Sequence, residues 1–262
     1  MLKILKARLL QGHRTGSFPD TAPTLPDRFA GLPEVQRCTE KDCAACAEIC
    51  PTGAILKGES GVVLDMGKCI FCRKCENACS AGKIKLTGNH DTASFTREGL
   101  VRAASSPAYE YELQPNEVIK SLCGKSLKIR QISAGGCAAC ELDFNVLNTL
   151  AWDMGRFGIQ VVASPRHADC VLITGPVSKN MLLALKKTFD AVPDPAFVIA
   201  CGSCAISGGL FRGNDEVCNG VEDILKVDLY VPGCPPHPAT LLEALLRFIG
   251  RNPGKLRNLS VK

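Results

Sequence analysis

Apolar positions in the C-terminal half follow two alternating patterns. Ser126-Leu-Lys-Ile-Arg-Gln-Ile alternates apolar and polar residues, as a half-buried strand does. Ile159-Gln-Val-Val-Ala163, Cys170-Val-Leu-Ile-Thr174, Ala196–Ala200 and Asp228–Val231 are short apolar runs of strand length. Between and after them, Glu141–Phe157, Asn180–Ala191 and Pro238–Ile249 read as helices. Strands alternating with helices predict an α/β domain with a doubly wound, flavodoxin-like parallel sheet.

The N-terminal half lacks this alternation. Met1–Leu10 is a short basic amphipathic stretch, and a Gly/Pro-rich extended segment follows it to Pro33. About ten residues are too few for a stable free helix, so this stretch is expected either to dock on a membrane partner or to pack on its own domain. From His90 to Lys125 the chain is polar and irregular, with one short helix expected at Glu117–Leu122. No apolar run approaches the roughly 20 residues needed to span a bilayer. Membrane attachment is therefore expected to run through partner subunits.

The cysteines change the picture most. There are 16 of them in 262 residues, clustered as Cys-x2-Cys, and no signal peptide pattern heads the chain. That combination favours metal binding in a reducing cytosol over disulfides. Their spacing changes character near residue 125, which divides the chain into two main domains. In the C-terminal domain, Cys137 and Cys140 follow the first strand, Cys204 the fourth and Cys234 the fifth. All four are thereby expected at the carboxyl edge, where such sheets bind ligands. Gly135-Gly136, Gly202, Gly208-Gly209 and Gly233 beside them allow a close backbone approach. Cys123, Cys170, Cys201 and Cys218 fall outside these sets and are expected to be small buried apolar residues, although Cys201 also stands at Cys-x2-Cys spacing from Cys204. His167 and His237 are expected to be structural or interface residues.

Cys38-Thr-Glu-Lys-Asp-Cys43-Ala-Ala-Cys46-Ala-Glu-Ile-Cys50-Pro51 and Cys69-Ile-Phe-Cys72-Arg-Lys-Cys75-Glu-Asn-Ala-Cys79-Ser80 both resemble the bacterial two-cluster ferredoxin run. Three cysteines within seven residues suit a cube better than the paired knuckles of structural zinc. In that family's pattern the fourth cysteine of each run crosses to the other cluster. The resemblance implies a small α+β ferredoxin domain with cluster I on Cys43, Cys46 and Cys79 and cluster II on Cys69, Cys72, Cys75 and Cys50. Cys38 is the candidate fourth ligand of cluster I, against a three-cysteine cluster or another fourth ligand. The first run departs from the pattern by a longer Cys38–Cys43 spacing, and the second by Ser80 in place of proline.

Charge excludes little. The formal +5 counts cysteines as neutral, and three clusters at about −2 each would bring the protein near neutrality. With one Trp and three Tyr there is no aromatic-rich basic patch, so no nucleic-acid partner is expected. No Gly-x-Gly-x-x-Gly or Gly-x4-Gly-Lys-Ser/Thr occurs to support nucleotide binding.

Ala134-Gly-Gly-Cys-Ala-Ala-Cys-Glu141, Arg156-Phe-Gly158, Ala163-Ser-Pro-Arg-His-Ala-Asp169, Thr174-Gly-Pro-Val177, Gly202-Ser-Cys-Ala-Ile-Ser-Gly-Gly209 and Val231-Pro-Gly-Cys-Pro-Pro236 resemble the small subunit of group 4, energy-converting NiFe hydrogenases of the formate hydrogenlyase type. They are similar, more distantly, to the terminal-cluster subunit of complex I. Residues 1 to about 88, with Asp27-Arg-Phe-Ala-Gly-Leu-Pro33, look like the two-cluster ferredoxin subunit of the same complexes, here fused. The resemblance implies four regions: a docking segment (1–34), a ferredoxin domain (35–88), a connector (89–125) and a complex I 20 kDa-like or hydrogenase small-subunit domain (126–262). It implies three 4Fe-4S clusters, the third on Cys137, Cys140, Cys204 and Cys234, and an iron-sulfur subunit that is not catalytic alone. The implied partners are a NiFe large subunit, membrane subunits and an electron donor or acceptor protein such as a ferredoxin or a dehydrogenase. The implied location is cytoplasmic, at the inner face of the cell membrane.

In the resemblance, complex I has adjacent cysteines at the first ligand pair, whereas hydrogenase-type subunits have Cys-x2-Cys, the spacing of Cys137 and Cys140 here. A complex I-like quinone or sulfur reductase is the alternative. Glu141, beside Cys140, is a candidate for a proton path or for a bond to the cluster environment, against a helix-capping role.

Overall fold

The computed structural model describes residues 2–12, 15–38, 43–58, 61–104, 106 and 117–251. Part of the expected connector, residues 107–116, and the end of the last expected domain, 252–262, lie outside the described residues, as does the side chain of Cys43.

The N-terminal half is built of short pieces. Helix α1 (Leu2–Gln11) buries no side chain, with Leu2, Ile4, Leu5, Leu9 and Leu10 all exposed. Of the two expectations for this stretch, packing on its own domain is the one the structure does not bear out. Beyond it, Gly16 donates to the Ala151 carbonyl, Arg156 donates to the carbonyls of Gly16 and Phe18, and buried Phe18 packs edge-on against Trp152. Strand β1 (Pro33–Val35) is followed by α2 (Cys43–Glu48), the hairpin β2 (Ile55–Gly58) and β3 (Gly61–Asp65), α3 (Lys74–Ala78) and β4 (Ile84–Leu86). β4 returns antiparallel to β1. Strand β5 (Val101–Ala103) then pairs antiparallel with β3, giving the sheet order β2-β3-β5. Within the expected connector, His90 and Thr92 are buried, and Ser94 bridges Tyr230.

Helix α4 (Glu117–Cys123) leads into β6 (Leu127–Ser133). Helix α5 (Ala139–Val146) stops well short of the expected Phe157. The Thr149 hydroxyl bonds the Val146 carbonyl, and Asp153 takes a left-handed conformation at φ 42°, so the stretch continues as turns into a 3-10 turn at Met154–Phe157. Then come β7 (Ile159–Val161), β8 (Cys170–Thr174), α6 (Lys179–Phe189), β9 (Phe197–Cys201), α7 (Ser203–Ser207), β10 (Leu229–Val231) and α8 (Pro238–Phe248).

The five strands are all parallel, in the order β10-β9-β8-β6-β7. This is the flavodoxin-like order, with its switch point between the first and third strands of the domain. Every residue of β8 and β9 is buried, as expected of a sheet covered on both faces. Alternate residues serve two cores. Leu127, Ile129, Leu172 and Ile199 pack with Leu241, Leu245 and Phe248 of α8; Ile132, Val171, Ile173 and Val198 share a core with Leu64, Met66 and Leu100 of the N-terminal half. The cysteine-rich half is thus built onto one face of the sheet.

Candidate iron-sulfur sites

Sheet topology brings the dispersed cysteines together. Cys137 and Cys140 lie at the start of α5 after β6, Cys204 lies in α7 after β9, and Cys234 lies in the loop after β10. A negative charge on one thiol opposes the ionisation of the next. Burial pushes the Cys204 thiol up to about 12, and Cys234, Cys140 and Cys137 add to it. Cys234 is raised by burial and by the same two cysteines. A Cβ on Gly202 would fall 2.6 Å from Cys140 Sγ, and one on Gly209 would fall 2.9 Å from Cys204 Sγ. The two glycines leave the space that the thiols face.

A second set forms around α3. Burial pushes Cys69 up to about 12, its bond from the Phe71 N–H draws it down, and Cys75, Cys50 and Cys72 push it further up. Cys75 rises to about 11, first through burial, with Cys50 and Cys72 contributing. Backbone N–H groups aim at the sulfurs: Phe71 donates to Cys69 Sγ and Ala54 to Cys50 Sγ, each at 3.3 Å. A third set joins Cys46 and Cys79. Cys46 is raised by burial and by Cys79, whereas Cys79, although burial raises it, is lowered by the amides of Lys83, Ile84 and Ala81. Cys38, expected as the fourth thiol here, is disulfide-bonded. A disulfide sulfur has no thiolate to offer, so a ligand role requires its reduction.

The loops carry a strain that suits this task. Of the non-glycine residues with positive φ among those described, Phe71 and Arg73 separate the cysteines of the second set, and Ala138 lies between Cys137 and Cys140. Such strain concentrates at ligand sites. Four crowded thiols in a low-dielectric pocket ionise only beside compensating positive charge, and thiolates with backbone N–H donors are the donor set of iron-sulfur clusters. The residues fit that group.

Glu141 lies in the first turn of α5, where Ser133 Oγ and Thr174 Oγ1 donate to its Oε1 at 2.7 and 2.6 Å. Burial raises its pKa, but the two hydroxyls outweigh that and hold it below the ordinary value. Of the leftover cysteines, Cys123 and Cys170 are buried thiols raised by desolvation, and Cys218 is half-buried. Cys201 does more than fill space: its neighbouring thiol is the largest cause of the lowered Cys140 pKa, and the Cys201 thiol is itself pushed up by Cys140 and by burial. His167 lies in a 3-10 turn, and His237 caps α8, its Nδ1 accepting from the Ala239 N–H at 3.1 Å. Ser203 and Ser207, both buried on α7, lie outside the cysteine pattern that marks the sites. The signal for them in the sequence is the i, i+4 spacing in Cys-Gly-Ser-Cys-Ala-Ile-Ser, which puts both hydroxyls on one face of a helix.

A parallel α/β sheet with a thiol tetrad at its carboxyl edge, joined to a second cysteine-rich layer, presents the donor sets that suit a cluster-binding redox module. Residues 137–248 match the NADH ubiquinone oxidoreductase 20 Kd subunit family, and the chain belongs to that family. It is 43% identical over 123 residues to the NADH-quinone oxidoreductase B subunit of Geotalea daltonii, covering 47% of this chain and 71% of that protein. It is 42% identical over 112 residues to the protein of the same name from Bacteroides thetaiotaomicron, covering 42% of this chain, and 44% identical over 113 residues to that from Desulfovibrio desulfuricans, covering 43%. The chain spans 57% and 61% of the lengths of these last two relatives. Among solved structures, a chain of the archaeal membrane-bound sulfane sulfur reductase is 32% identical, covering 55% of this chain and 78% of its own, at a TM-score of 0.43. A chain of an NAD+-reducing [NiFe]-hydrogenase is 22% identical, covering 49% and 94%, at a TM-score of 0.39.

Proposed function

We propose that the chain is an electron-transfer subunit of a complex I-like oxidoreductase. The convergence of Cys137, Cys140, Cys204 and Cys234 at the sheet edge, with the Cys50, Cys69, Cys72 and Cys75 set docked against it, carries this reading. Residues 35–88, extended by β5, serve as a fused two-cluster ferredoxin domain on the residues 126–251 module. Cys43, Cys46 and Cys79, with Cys38 when reduced, hold the first 4Fe-4S cluster; Cys50, Cys69, Cys72 and Cys75 hold the second; the tetrad holds the third. When bound, the three clusters supply one-electron storage at potentials set by their hydrogen bonds and burial. The chain's own part is to space the thiolates, donate N–H groups to sulfur and exclude water from the buried ligands. Glu141, ionised beside Cys140, is a proton acceptor at the same edge.

The Cys137-x2-Cys140 spacing favours a NiFe hydrogenase large subunit as the partner at the tetrad. Membrane subunits, and a ferredoxin or dehydrogenase as electron donor or acceptor, complete the assembly at the cytoplasmic face of the membrane. Among the described residues no helix is long and apolar enough to cross a membrane. A quinone or sulfur reductase is the second reading, favoured by the 43% identity to a protein named for NADH-quinone oxidoreductase. Purifying the native complex through this chain and assaying hydrogen-isotope exchange beside quinone and sulfur reduction tests the choice. Exchange is expected; quinone or sulfur reduction without exchange would move the assignment to the second reading.

A further inference from the structure

Helix α7 carries Cys204 and also two serines that no thiol uses. Ser203 is 1% and Ser207 6% exposed, so neither hydroxyl has recourse to water. Ser203 Oγ lies 2.5 Å from the Cys69 carbonyl oxygen and 3.1 Å from that of Gly233, which also accepts the Ser203 N–H at 2.8 Å. Ser207 Oγ lies 2.9 Å from the Gly67 carbonyl oxygen and 3.1 Å from the Ser203 carbonyl oxygen one turn back. The acceptors Gly67 and Cys69 sit in the turn that opens the second cysteine set, and Gly233 immediately precedes Cys234.

That turn is itself rigid. Asp65 Oδ1 accepts the Gly67 N–H at 2.9 Å, the Asp65 carbonyl accepts from Cys69, and Arg97 grips both Asp65 carboxylate oxygens at 2.8 and 2.6 Å. A Cβ on Gly67 would meet Ile206 Cγ2 at 2.9 Å and Arg97 at 3.0 Å, so the turn and α7 approach as closely as a bare backbone allows.

We propose that Ser203 and Ser207 act as a two-point clamp that sets the spacing between the second cysteine set and the Cys137/Cys140/Cys204/Cys234 tetrad. A hydroxyl donor fixes direction as well as distance, which apolar packing does not. Cys69 and Cys204 are thereby held through a single side chain, that of Ser203. The two serines are positioning residues, and the inference rests on the proposed clusters.

The test is electron paramagnetic resonance of the fully reduced, reconstituted full chain, reading the spin-spin splitting between the second and third clusters, with iron analysis alongside. In the Ser203→Ala/Ser207→Ala double variant the splitting should shrink or smear while iron stays at the roughly twelve atoms that three cubes require. Ser203→Thr, which keeps a hydroxyl, should retain it. If the double variant loses iron, Ser207→Ala alone is decisive, because Ser207 adjoins no cysteine: its splitting should change. A wild-type splitting in an iron-replete double variant, or in Ser207→Ala where only that variant keeps its iron, overturns the clamp. Wild-type chain that takes up no iron overturns the functional reading instead.

Discussion

At the residue scale, the tetrad depends on Gly202 as much as on its cysteines. Gly202 has φ 88° and ψ 156°, a region essentially reserved for glycine, where another residue stores about 1–3 kcal/mol of strain. Its missing Cβ is also the space that Cys140 Sγ occupies. Gly202→Ala is expected to displace that sulfur and cost about four of roughly twelve iron atoms per chain, measured by iron analysis. Cys201→Ala tests another contact. Removing a donor to a ligand sulfur destabilises the more negative, reduced cluster, so the midpoint potential of the third cluster should fall in a redox titration, with iron unchanged. The tetrad was legible in the sequence because Cys-x2-Cys and Gly-Cys-Pro follow predicted strands. The Cys201 contact was not: Cys201 and Cys140 meet only through the pairing of strands distant in sequence.

At the element scale, strand positions were legible to within a residue or two at most ends, since β8 and β9 are fully buried apolar runs. The helix after Cys140 is shorter than its apolar pattern suggests, because the apolar residues continue through a turn and a 3-10 segment that bury Leu147 and Met154. The pairing of β5 with β3 was hidden because three residues carry no period, and the partner is 36 or more positions away. Helix α8 shows a different device. Its Glu243 is fully buried; His90 Nε2 lies 2.8 Å from Glu243 Oε2, Arg247 Nε donates to Glu243 Oε1 at 3.1 Å, and Arg247 Nη2 donates to Asp91 Oδ2 at 2.9 Å. The network ties residues 90–91 to the sheet's covering helix. Arg247→Met removes one partner of a buried pair and should cost about 3–5 kcal/mol, seen as a fall of roughly 10 °C in Tm.

The same network gives a pH dependence. Burial pushes Asp91 up from 3.8 to about 6, with Glu243 adding to the rise. Burial also raises Glu243, but His90, Asp91 and Arg247 outweigh it and draw it from 4.5 down to about 2. A raised carboxyl favours the folded state while protonated, so Asp91 costs stability as pH climbs from 3.8 through about 6. Glu243 has the opposite sign: its contribution is present above 4.5 and lost as pH falls through about 2. Thermal unfolding across pH should therefore show a decline between about pH 4 and 6 that Asp91→Asn reduces. An unchanged decline in that variant would remove Asp91 from the account.

At the scale of the whole molecule, the two halves share one core face and are pinned by Ser203, Ser207 and the His90–Glu243 contact. The two-domain pattern was visible in the change of cysteine spacing. The closeness of the halves was not, because hydroxyl-to-carbonyl bonds leave no periodic trace. The central claim is a chain that carries three clusters on three thiol sets. Iron and acid-labile sulfide analysis of the anaerobically reconstituted full chain tests it most directly. Roughly twelve of each per chain are expected for three 4Fe-4S clusters, and Cys234→Ala should remove about four. Stoichiometric zinc with little sulfide would contradict the account.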